Sequence, residues 1–362
     1  MSDNRKRYRA IRKGLKQLYP NEPSGNLARH LDTLADLISG IVASHSTHLP
    51  KIASRIPDGQ QAESRVKRFS RWVNNKSVDS ETYFVPFASA LLDSLCDHTL
   101  VLVMDSSEVG RQCLTLMVSV VYKQRALPLA WCVVKGSKGH FAADAHCALL
   151  AQVAALLPAK ADVIFLGDGE FDGAALQTLL NGYGWDYVCR TAKNLRVTDD
   201  GATFNLSALE VAPGERLSLP AVTLWQHEYG PVHAIAWWQR GYDAPLYLVT
   251  NLELLAEACH WYRRRCKIET FFSDQKSRGF HLHKSHLADP PRLARLMIAA
   301  CLAYIWIVYL GVLAVGAEWR KAIHRADRCD LSLFQLGLRA LDYLFNEGKR
   351  IPFSFQMPLA LE

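Results

Sequence analysis

Four side chains that can hold a phosphate or a cation recur at helical spacing in the second half of the chain. Tyr262, Arg265, Glu269 and Lys276 are separated by three, four and seven residues. On a regular α-helix these positions fall in one stripe about 60° wide. Arginine and lysine bind phosphate oxygens, and a carboxylate beside them can ligate a cation. The alternative is an exposed Arg265–Glu269 ion pair, which stabilises a helix by only about 0.3–0.5 kcal/mol.

Two aspartates favour the chemical interpretation. Asp105 ends the apolar run Leu100–Met104, and Asp168 follows a second apolar run, Val163–Leu166. A single aspartate at a strand end is often a turn former. Two of them together with Glu269 predict a pocket of three carboxylates, whose repulsion is relieved by hard divalent cations such as Mg²⁺ or Mn²⁺. Two such ions about 4 Å apart catalyse in-line phosphoryl transfer.

Elements around these residues predict a mixed α/β core. Three strand-like runs over 100–134 are followed by a helix, a strand ending before Asp168, a second helix and a strand over 187–190. The first three strands can form an antiparallel meander, and the later ones need helical crossovers. This order predicts a ribonuclease-H-like core over 96–194 and 251–290. Its second part begins with one continuous helix over Leu254–Arg278, capped by Gly279.

The remaining segments have different periodicities. Residues 1–95 have helical spacing and a basic helix over Ala62–Val73, which predicts a helical DNA-binding domain, although a plain helical bundle has the same pattern. Residues 195–250 are rich in β-branched and aromatic residues and predict an all-β insertion. Residues 291–362 predict a helical C-terminal region. Its segment Leu296–Ala317 has no charged residue and is long enough to span a membrane, but we interpret it as a buried helix.

Charge and cysteine usage set limits on the function classes. The net charge of +7 is too small to indicate a nucleic-acid partner by itself, but basic residues cluster at 5–16, 65–71 and 263–267. Such clusters can neutralise phosphates, and solvated helix faces have the same pattern. The nine cysteines include no C-x-x-C pair and predict reduced thiols in a cytoplasmic protein.

The spacing Tyr262-x2-Arg265-x3-Glu269-x6-Lys276 resembles the Y-x2-R-x3-E-x6-K signature of bacterial insertion-sequence transposases of the DDE class. Asp105 and Asp168 precede it in the expected structural contexts. The resemblance is to the cut-and-paste subgroup with a β insertion before the glutamate helix. It extends over residues 95–285, whereas the N-terminal segment is similar only in general character.

The resemblance implies an enzyme that cleaves and joins DNA with two Mg²⁺ ions, for which Mn²⁺ can substitute. Asp105 would bridge both ions, and Asp168 and Glu269 would each hold one. Water would attack a phosphodiester at the element end, and the freed 3′-hydroxyl would attack target DNA. Tyr262, Arg265 and Lys276 would hold phosphates near the cut. The partners would be double-stranded transposon ends and target DNA, bound by a homodimer. The protein would act in the bacterial cytoplasm, associated with the nucleoid and not with a membrane.

The segment after Asp168 departs from the usual family pattern, which has a basic or small residue, a glycine and an aromatic. It has Gly169, Glu170 and Phe171 instead. Glu170 or Asp172 could therefore replace Asp168 as a ligand.

Further candidate contacts are less specific. Arg190 and Lys193 follow the strand expected beside that of Asp168 and could hold phosphates. The subgroup's base-trapping tryptophan corresponds to Leu246 here, so a hairpin intermediate is left open. Candidates for base stacking instead are Tyr247, Trp225, Trp237 and Trp238. Three histidines, His281, His283 and His286, suggest zinc, but their spacing is not that of a standard site.

The sequence alone leaves three alternative functions. A catalytically inactive, transposase-derived DNA-binding protein is disfavoured because all three acidic residues are present. A plain metal-dependent nuclease is disfavoured by the β insertion and the Tyr262–Lys276 stripe. A membrane protein would require Leu296–Ala317 to be a span.

Overall fold

The computed structural model describes residues 2–136, 139, 141–224, 228–325, 328 and 330–358. Its helices are α1 (Asp3–Lys16), α2 (Gly25–Ser44), α3 (Leu49–Ala53), α4 (Ala62–Asn74), α5 (Ser80–Tyr83), α6 (Val85–Asp93), α7 (Ala143–Ala154), α8 (Ala174–Gly182), α9 (Leu255–Tyr262), α10 (Lys267–Gln275), α11 (Pro290–Gly316), α12 (Arg320–Ile323) and α13 (Leu333–Asn346). Its strands are β1 (Leu100–Gly110), β2 (Cys113–Tyr122), β3 (Arg125–Lys135), β4 (Val163–Gly167), β5 (Asp186–Thr191), β6 (Arg196–Asp199), β7 (Ala202–Asn205), β8 (Arg216–Leu224), β9 (Tyr229–Trp237) and β10 (Leu246–Thr250).

The strands form one mixed sheet in the order β3-β2-β1-β4-β5-β10-β9-β8-β6-β7. β1, β4 and β5 are parallel, and the other pairs are antiparallel. Parallel neighbours need crossovers, which α7 and α8 supply on either side of β4 in the sequence. Every residue of β2 is buried, as expected for an apolar strand that has packing partners on both faces.

The region predicted as an insertion extends this central sheet. Within 195–250 the described residues contain β6 to β10 and a short 3₁₀ turn over Leu206–Ala208. β10 lies antiparallel to β5, so the insertion strands continue from the edge of the parallel part. The sequence therefore indicated that this segment contains strands, while their attachment to the core sheet depends on pairing between distant segments.

The uncharged segment after residue 290 is the central helix of the fold. α11 is 27 residues long and has a mean hydropathy of 2.4 in its most apolar window, yet 83% of that window is buried inside the protein. It packs against α2, α4, α13 and β3. Asp289 caps it by accepting a hydrogen bond from the Arg292 backbone N–H at 3.0 Å, and prolines occupy its first turn. Its burial is that of a core helix, as the sequence interpretation predicted.

Close packing of α11 on α13 requires glycine at two facing positions. A Cβ on Gly311 would lie 1.9 Å from the carbonyl oxygen of Leu333, and one on Gly337 would lie 1.9 Å from that of Ile307. We expect Gly337→Ala to lower the free energy of unfolding by about 1–3 kcal/mol, because the two backbones must separate. Chemical denaturation measures this change. The matched control is Gly316→Ala, whose Cβ has no heavy atom within 4 Å. Equal stability of the Gly337 and Gly316 variants would contradict the expectation.

The prediction of one continuous helix over Leu254–Arg278 was wrong. α9 ends at Tyr262, residues 263–266 form a turn, and α10 begins at Lys267. The turn is tightened by bonds to the third preceding residue, such as Arg265 N–H to the Tyr262 carbonyl at 3.0 Å. Such bonds rotate successive side chains further than an α-helix does. The stripe calculated for one regular α-helix therefore does not apply across the turn. Gly279 is not a cap of this helix, which ends at Gln275, and instead allows close approach to the Asp274 carbonyl.

Candidate active site

The register of the central strands brings Asp105 and Asp168 together. β1 and β4 pair in parallel from Leu100 with Val163 to Val103 with Leu166. Two further residues along the same register place Asp105 beside Asp168, which directly follows β4. The expectation that Asp105 ends its strand was wrong, because β1 continues to Gly110 through pairing with β2. Asp105 nevertheless lies beside the end of β4, and its side chain faces Arg265 there.

Arg265 lies among all three acidic residues named by the sequence analysis. Its Nη2 donates to Glu269 Oε1 at 2.7 Å. Its Nη1 lies 3.5 Å from Asp105 Oδ2 and 3.9 Å from Asp168 Oδ2. Nη1 is buried and has no hydrogen-bond partner among the described residues. Three carboxylates that are distant in the sequence therefore surround one positive charge.

The electrostatics of this cluster follow from burial. Burial raises the pKa of Asp105 to about 6; Arg265 lowers it, and Asp168 and Glu269 add to the increase. Burial lowers the pKa of Arg265, but Tyr262 and the three carboxylates outweigh it, and the net direction is upward. The Asp105 carboxylate also accepts a hydrogen bond from the Ser106 backbone N–H at 2.7 Å. Glu269 is the most accessible of the three acidic side chains, at 59% exposure.

Lys276 directly follows α10 and lies close enough to Asp105 to interact with its charge. Its Nζ donates to Ser107 Oγ at 2.6 Å, and burial lowers its pKa while Glu108 and Asp105 raise it. Ser107 was not identified by the sequence analysis. The available signal was its position two residues after Asp105 on the same strand, because alternate residues share one face of a sheet.

Tyr262 and Arg190 border the cluster. Tyr262 is 8% exposed. Burial raises the pKa of its hydroxyl to about 12, and the charges of Arg265 and Arg190 act in the opposite direction. Arg190 is exposed on β5, the strand next to β4. Lys193 is exposed in the loop that follows β5. The structure thus places Asp105, Asp168 and Glu269 around Arg265. The other predicted site residues lie further out: Lys276, Tyr262 and Arg190 border this cluster, and Lys193 lies on the adjacent surface.

Residues 94–306, more than half of the chain, match the family described as the transposase DDE domain. The chain belongs to the DDE transposase family. No curated protein has a significantly similar sequence. Among solved structures, one that is similar is the cryo-EM structure of the piggyBac transposase synaptic complex with hairpin DNA. The similarity has a TM-score of 0.47 and 10% sequence identity, and it covers 94% of this chain and 79% of that chain.

The aromatic residues considered for base stacking in this transposase are mostly engaged elsewhere. Trp237 is 6% exposed, and the Arg263 guanidinium lies 5.1 Å from its ring centre. The Trp238 indole N–H donates to the Tyr242 carbonyl at 2.8 Å. Tyr247 is buried, Leu246 is half-buried, and Trp225 lies outside the described residues. Tyr242, at 47% exposure, is the more accessible ring near this end of β9.

The three histidines after α10 do not converge. The rings of His281 and His283 are 5.8 Å apart, whereas His286 packs on His48 at 4.8 Å. In the part of the transposase that the structure describes, no three His, Cys, Asp or Glu side chains are close enough to hold a metal ion as they stand. A zinc site therefore has no support at these histidines.

The donor chemistry of the acidic cluster fits hard divalent cations. Asp105, Asp168 and Glu269 supply carboxylate oxygens only, which Mg²⁺ and Mn²⁺ prefer. The buried, unbonded Nη1 of Arg265 lies between Asp105 and Asp168, at a point where positive charge is stabilised from two sides. Binding of divalent cations by all three carboxylates requires this guanidinium to withdraw.

Proposed function

We propose that this transposase cleaves and joins DNA strands at the ends of the insertion sequence that encodes it. Asp105, Asp168 and Glu269 would be its catalytic metal ligands. The observation that carries the proposal is the convergence of the three carboxylates on the Arg265 guanidinium. An inactive derivative would have no need to keep three acidic groups around one buried charge, since such clusters repel one another.

The proposed reaction consists of two phosphoryl transfers. In the first, a water oxygen bonds to the phosphorus at the element end, and the 3′-oxygen leaves as a hydroxyl. In the second, that 3′-oxygen bonds to a phosphorus of target DNA, and the 3′-oxygen of the target leaves. Two bound Mg²⁺ ions would supply activation of the attacking oxygen and stabilisation of the leaving oxygen. Asp105, Asp168 and Glu269 would together hold these ions.

The basic residues of the cleft would hold the DNA strand. Once withdrawn from the carboxylates, Arg265 can bind a phosphate in bidentate fashion. Lys276 would act as a point charge on the Ser107 side, and Arg190 would contact the backbone from β5. The protonated Tyr262 hydroxyl would donate a hydrogen bond. Lys193 would contact DNA further from the cut.

The N-terminal helices are proposed to bind the transposon ends. Several of their basic residues form internal ion pairs: Arg12 contacts Asp32 at 2.7 Å, and Arg68 contacts Asp36 at 2.6 Å. A groove of about 710 Å³ between α1, α2 and α4 is lined by three acidic side chains, Asp32, Asp36 and Asp58, and by several basic ones. The exposed basic side chains of the groove are Arg5, Arg9, Arg29 and Arg71. The exposed arginines would contact phosphates, and the ion pairs of Arg12 and Arg68 hold the helices together.

The chain would belong to the bacterial cut-and-paste DDE transposases that have a β insertion before the glutamate helix. The strand order β3-β2-β1-β4-β5 supports a ribonuclease-H-like core, and β6 to β10 support the subgroup with a β insertion. Residues 1–95 would bind the transposon ends, and residues 96–194 and 251–290 would form the catalytic core. Residues 195–250 would hold the DNA strand, and residues 291–362 would support the core. A homodimer would bring two ends together in the bacterial cytoplasm.

The deciding experiment uses purified protein and duplex DNA that carries the sequences flanking its gene. With Mg²⁺ we expect end-specific cleavage that exposes a 3′-hydroxyl, followed by joining to a second duplex. Chelation should stop both steps. Cleavage without dependence on the end sequence, and without joining, would indicate a plain nuclease. DNA binding without cleavage in either Mg²⁺ or Mn²⁺ would indicate an inactive derivative.

Metal binding is expected to weaken as the pH falls through about 6, the pKa to which burial raises Asp105. A protonated carboxyl does not ligate a metal, so the proton and the ion compete. The Mn²⁺ association constant should therefore fall about tenfold per pH unit below that pKa. Titrations from pH 7.5 to 5 measure it, with Asp105→Asn as the variant that loses this dependence. A constant affinity over the range would contradict the role of Asp105.

A further inference from the structure

The turn after Asp168 carries two extra carboxylates, and both are directed away from the acidic cluster. Glu170 Oε1 accepts a hydrogen bond from the Phe141 backbone N–H at 2.7 Å and lies 3.2 Å from His146 Nε2. Both the Glu170 and the His146 side chains are at least nine-tenths buried. Asp172 accepts from Thr191 Oγ1 at 2.6 Å. The side chain that departs from the family pattern therefore joins the turn to α7.

The main chain of the same turn orients Asp168. The Glu170 backbone N–H donates to Asp168 Oδ1 at 3.0 Å, and the Phe171 N–H donates to the Asp168 carbonyl at 3.0 Å. Phe171 is fully buried, and its ring packs edge-on against the His146 ring at 4.8 Å. The amide of Glu170 thus fixes the Asp168 carboxylate, and the side chain of Glu170 fixes the position of that amide.

We propose that Glu170 is a positioning residue, held by His146 and the Phe141 amide, which sets the orientation of Asp168 and does not ligate metal. This inference rests on the proposed function of Asp168. The interactions link α7, the turn and the Asp168 carboxylate. The extra negative charge beside the site is directed into the protein, where a ring nitrogen and a backbone N–H face it.

Three variants distinguish this role from that of a ligand. Glu170→Gln keeps an oxygen that accepts from Phe141, so we expect Mn²⁺ affinity and cleavage within about threefold of wild type. Glu170→Ala and His146→Ala should each weaken Mn²⁺ binding and lower kcat by about 10–100-fold, the usual effect of removing a group that orients a metal ligand. The KM for DNA should not change. Asp144→Ala on the exposed side of α7 is the matched control.

A double-variant measurement tests whether Glu170 acts through Asp168. Glu170→Ala should have no further effect on Mn²⁺ affinity in an Asp168→Asn background, because the oriented ligand is already lost. Amide hydrogen exchange gives a second measurement that needs neither metal nor DNA. Glu170→Ala, but not Glu170→Gln, should accelerate exchange at residues 168–172 and leave α11 protected.

Two results would overturn the proposal. One is a loss of activity in Glu170→Gln as large as that in Asp168→Asn, which would make Glu170 a ligand. The other is unchanged exchange and unchanged metal affinity in Glu170→Ala, which would make the interaction inert. Failure of the proposed function has a different signature: wild-type protein would bind no Mn²⁺, while the exchange of the turn would still respond to Glu170→Ala.

Discussion

Replacement of Asp105 by asparagine is expected to reduce DNA strand cleavage at least about a thousandfold, with folding and DNA binding retained. Asp105 is a proposed metal ligand and the least exposed of the three carboxylates, and the neutral amide of asparagine is a poor substitute for a carboxylate ligand. Stabilisation of charge at phosphorus by metal ions is worth several kcal/mol, and about 1.4 kcal/mol corresponds to a factor of ten in rate. Single-turnover cleavage of end-containing DNA in Mg²⁺ measures the effect.

The same assay ranks the other two acidic residues. Asp168→Asn and Glu269→Gln should also lose activity by orders of magnitude. Asp97→Asn is the matched control, since Asp97 is exposed before β1. Unfolding midpoints and DNA-binding titrations separate lost chemistry from lost folding. Near wild-type cleavage by Asp105→Asn or Glu269→Gln would show that this cluster is not the active site.

The second large effect concerns stability, at the ion pair that joins α10 to the sheet. Arg125 Nη1 lies 3.0 Å from Asp274 Oδ2, and the two side chains are only 11% and 4% exposed. Burial raises the pKa of Asp274 to about 6, and Arg125 lowers it. Asp274 and Glu269 share α10, so this ion pair also holds the helix that carries the proposed ligand.

We expect Arg125→Met to lower the free energy of unfolding by about 3–5 kcal/mol, because it leaves a buried carboxylate without a partner. The double variant Arg125→Met/Asp274→Leu should recover most of this loss, since two apolar groups can replace a buried pair. Denaturant titration measures both. Arg328→Met breaks the exposed pair with Asp330 and should change stability by less than about 1 kcal/mol.

The destabilisation caused by Arg125→Met is expected to depend on pH through Asp274. A carboxyl whose folded pKa is raised above its unfolded value favours the folded state when protonated, so its contribution is lost as the pH rises through the folded pKa. Without Arg125 the pKa of Asp274 should rise further. The destabilisation of Arg125→Met should therefore be smaller at pH 5 than at pH 8. A loss that is equal at both pH values would show that Asp274 is not a buried, titrating partner.

Local sequence patterns were sufficient to locate most elements of the core. Strands β6 to β10 lie within 195–250, the segment predicted to be rich in strands, and the apolar runs before Asp105 and Asp168 belong to β1 and β4. Apolar runs with turn residues at both ends determine such strands locally. The single-helix prediction failed at 263–266 because contacts with the sheet, not local propensity, decide how α9 and α10 are connected.

Tertiary structure also decided the roles of the charged residues. Nothing in the order of residues indicates that Arg68 pairs with Asp36, or that Glu170 turns toward His146 rather than toward Asp168. Ion pairs and buried hydrogen bonds depend on which distant segments meet and on how much water they lose. The basic clusters were therefore visible in the sequence, but not their division into internal and exposed members.

The sequence by itself determined the types and spacing of the acidic and basic residues of the candidate site, and the strands that carry two of them. Only the folded chain decided that Asp105, Asp168 and Glu269 surround Arg265. That convergence depends on the parallel register of β1 with β4 and on the packing of α10 against the sheet. Both are interactions between segments far apart in the sequence, which local periodicity does not encode.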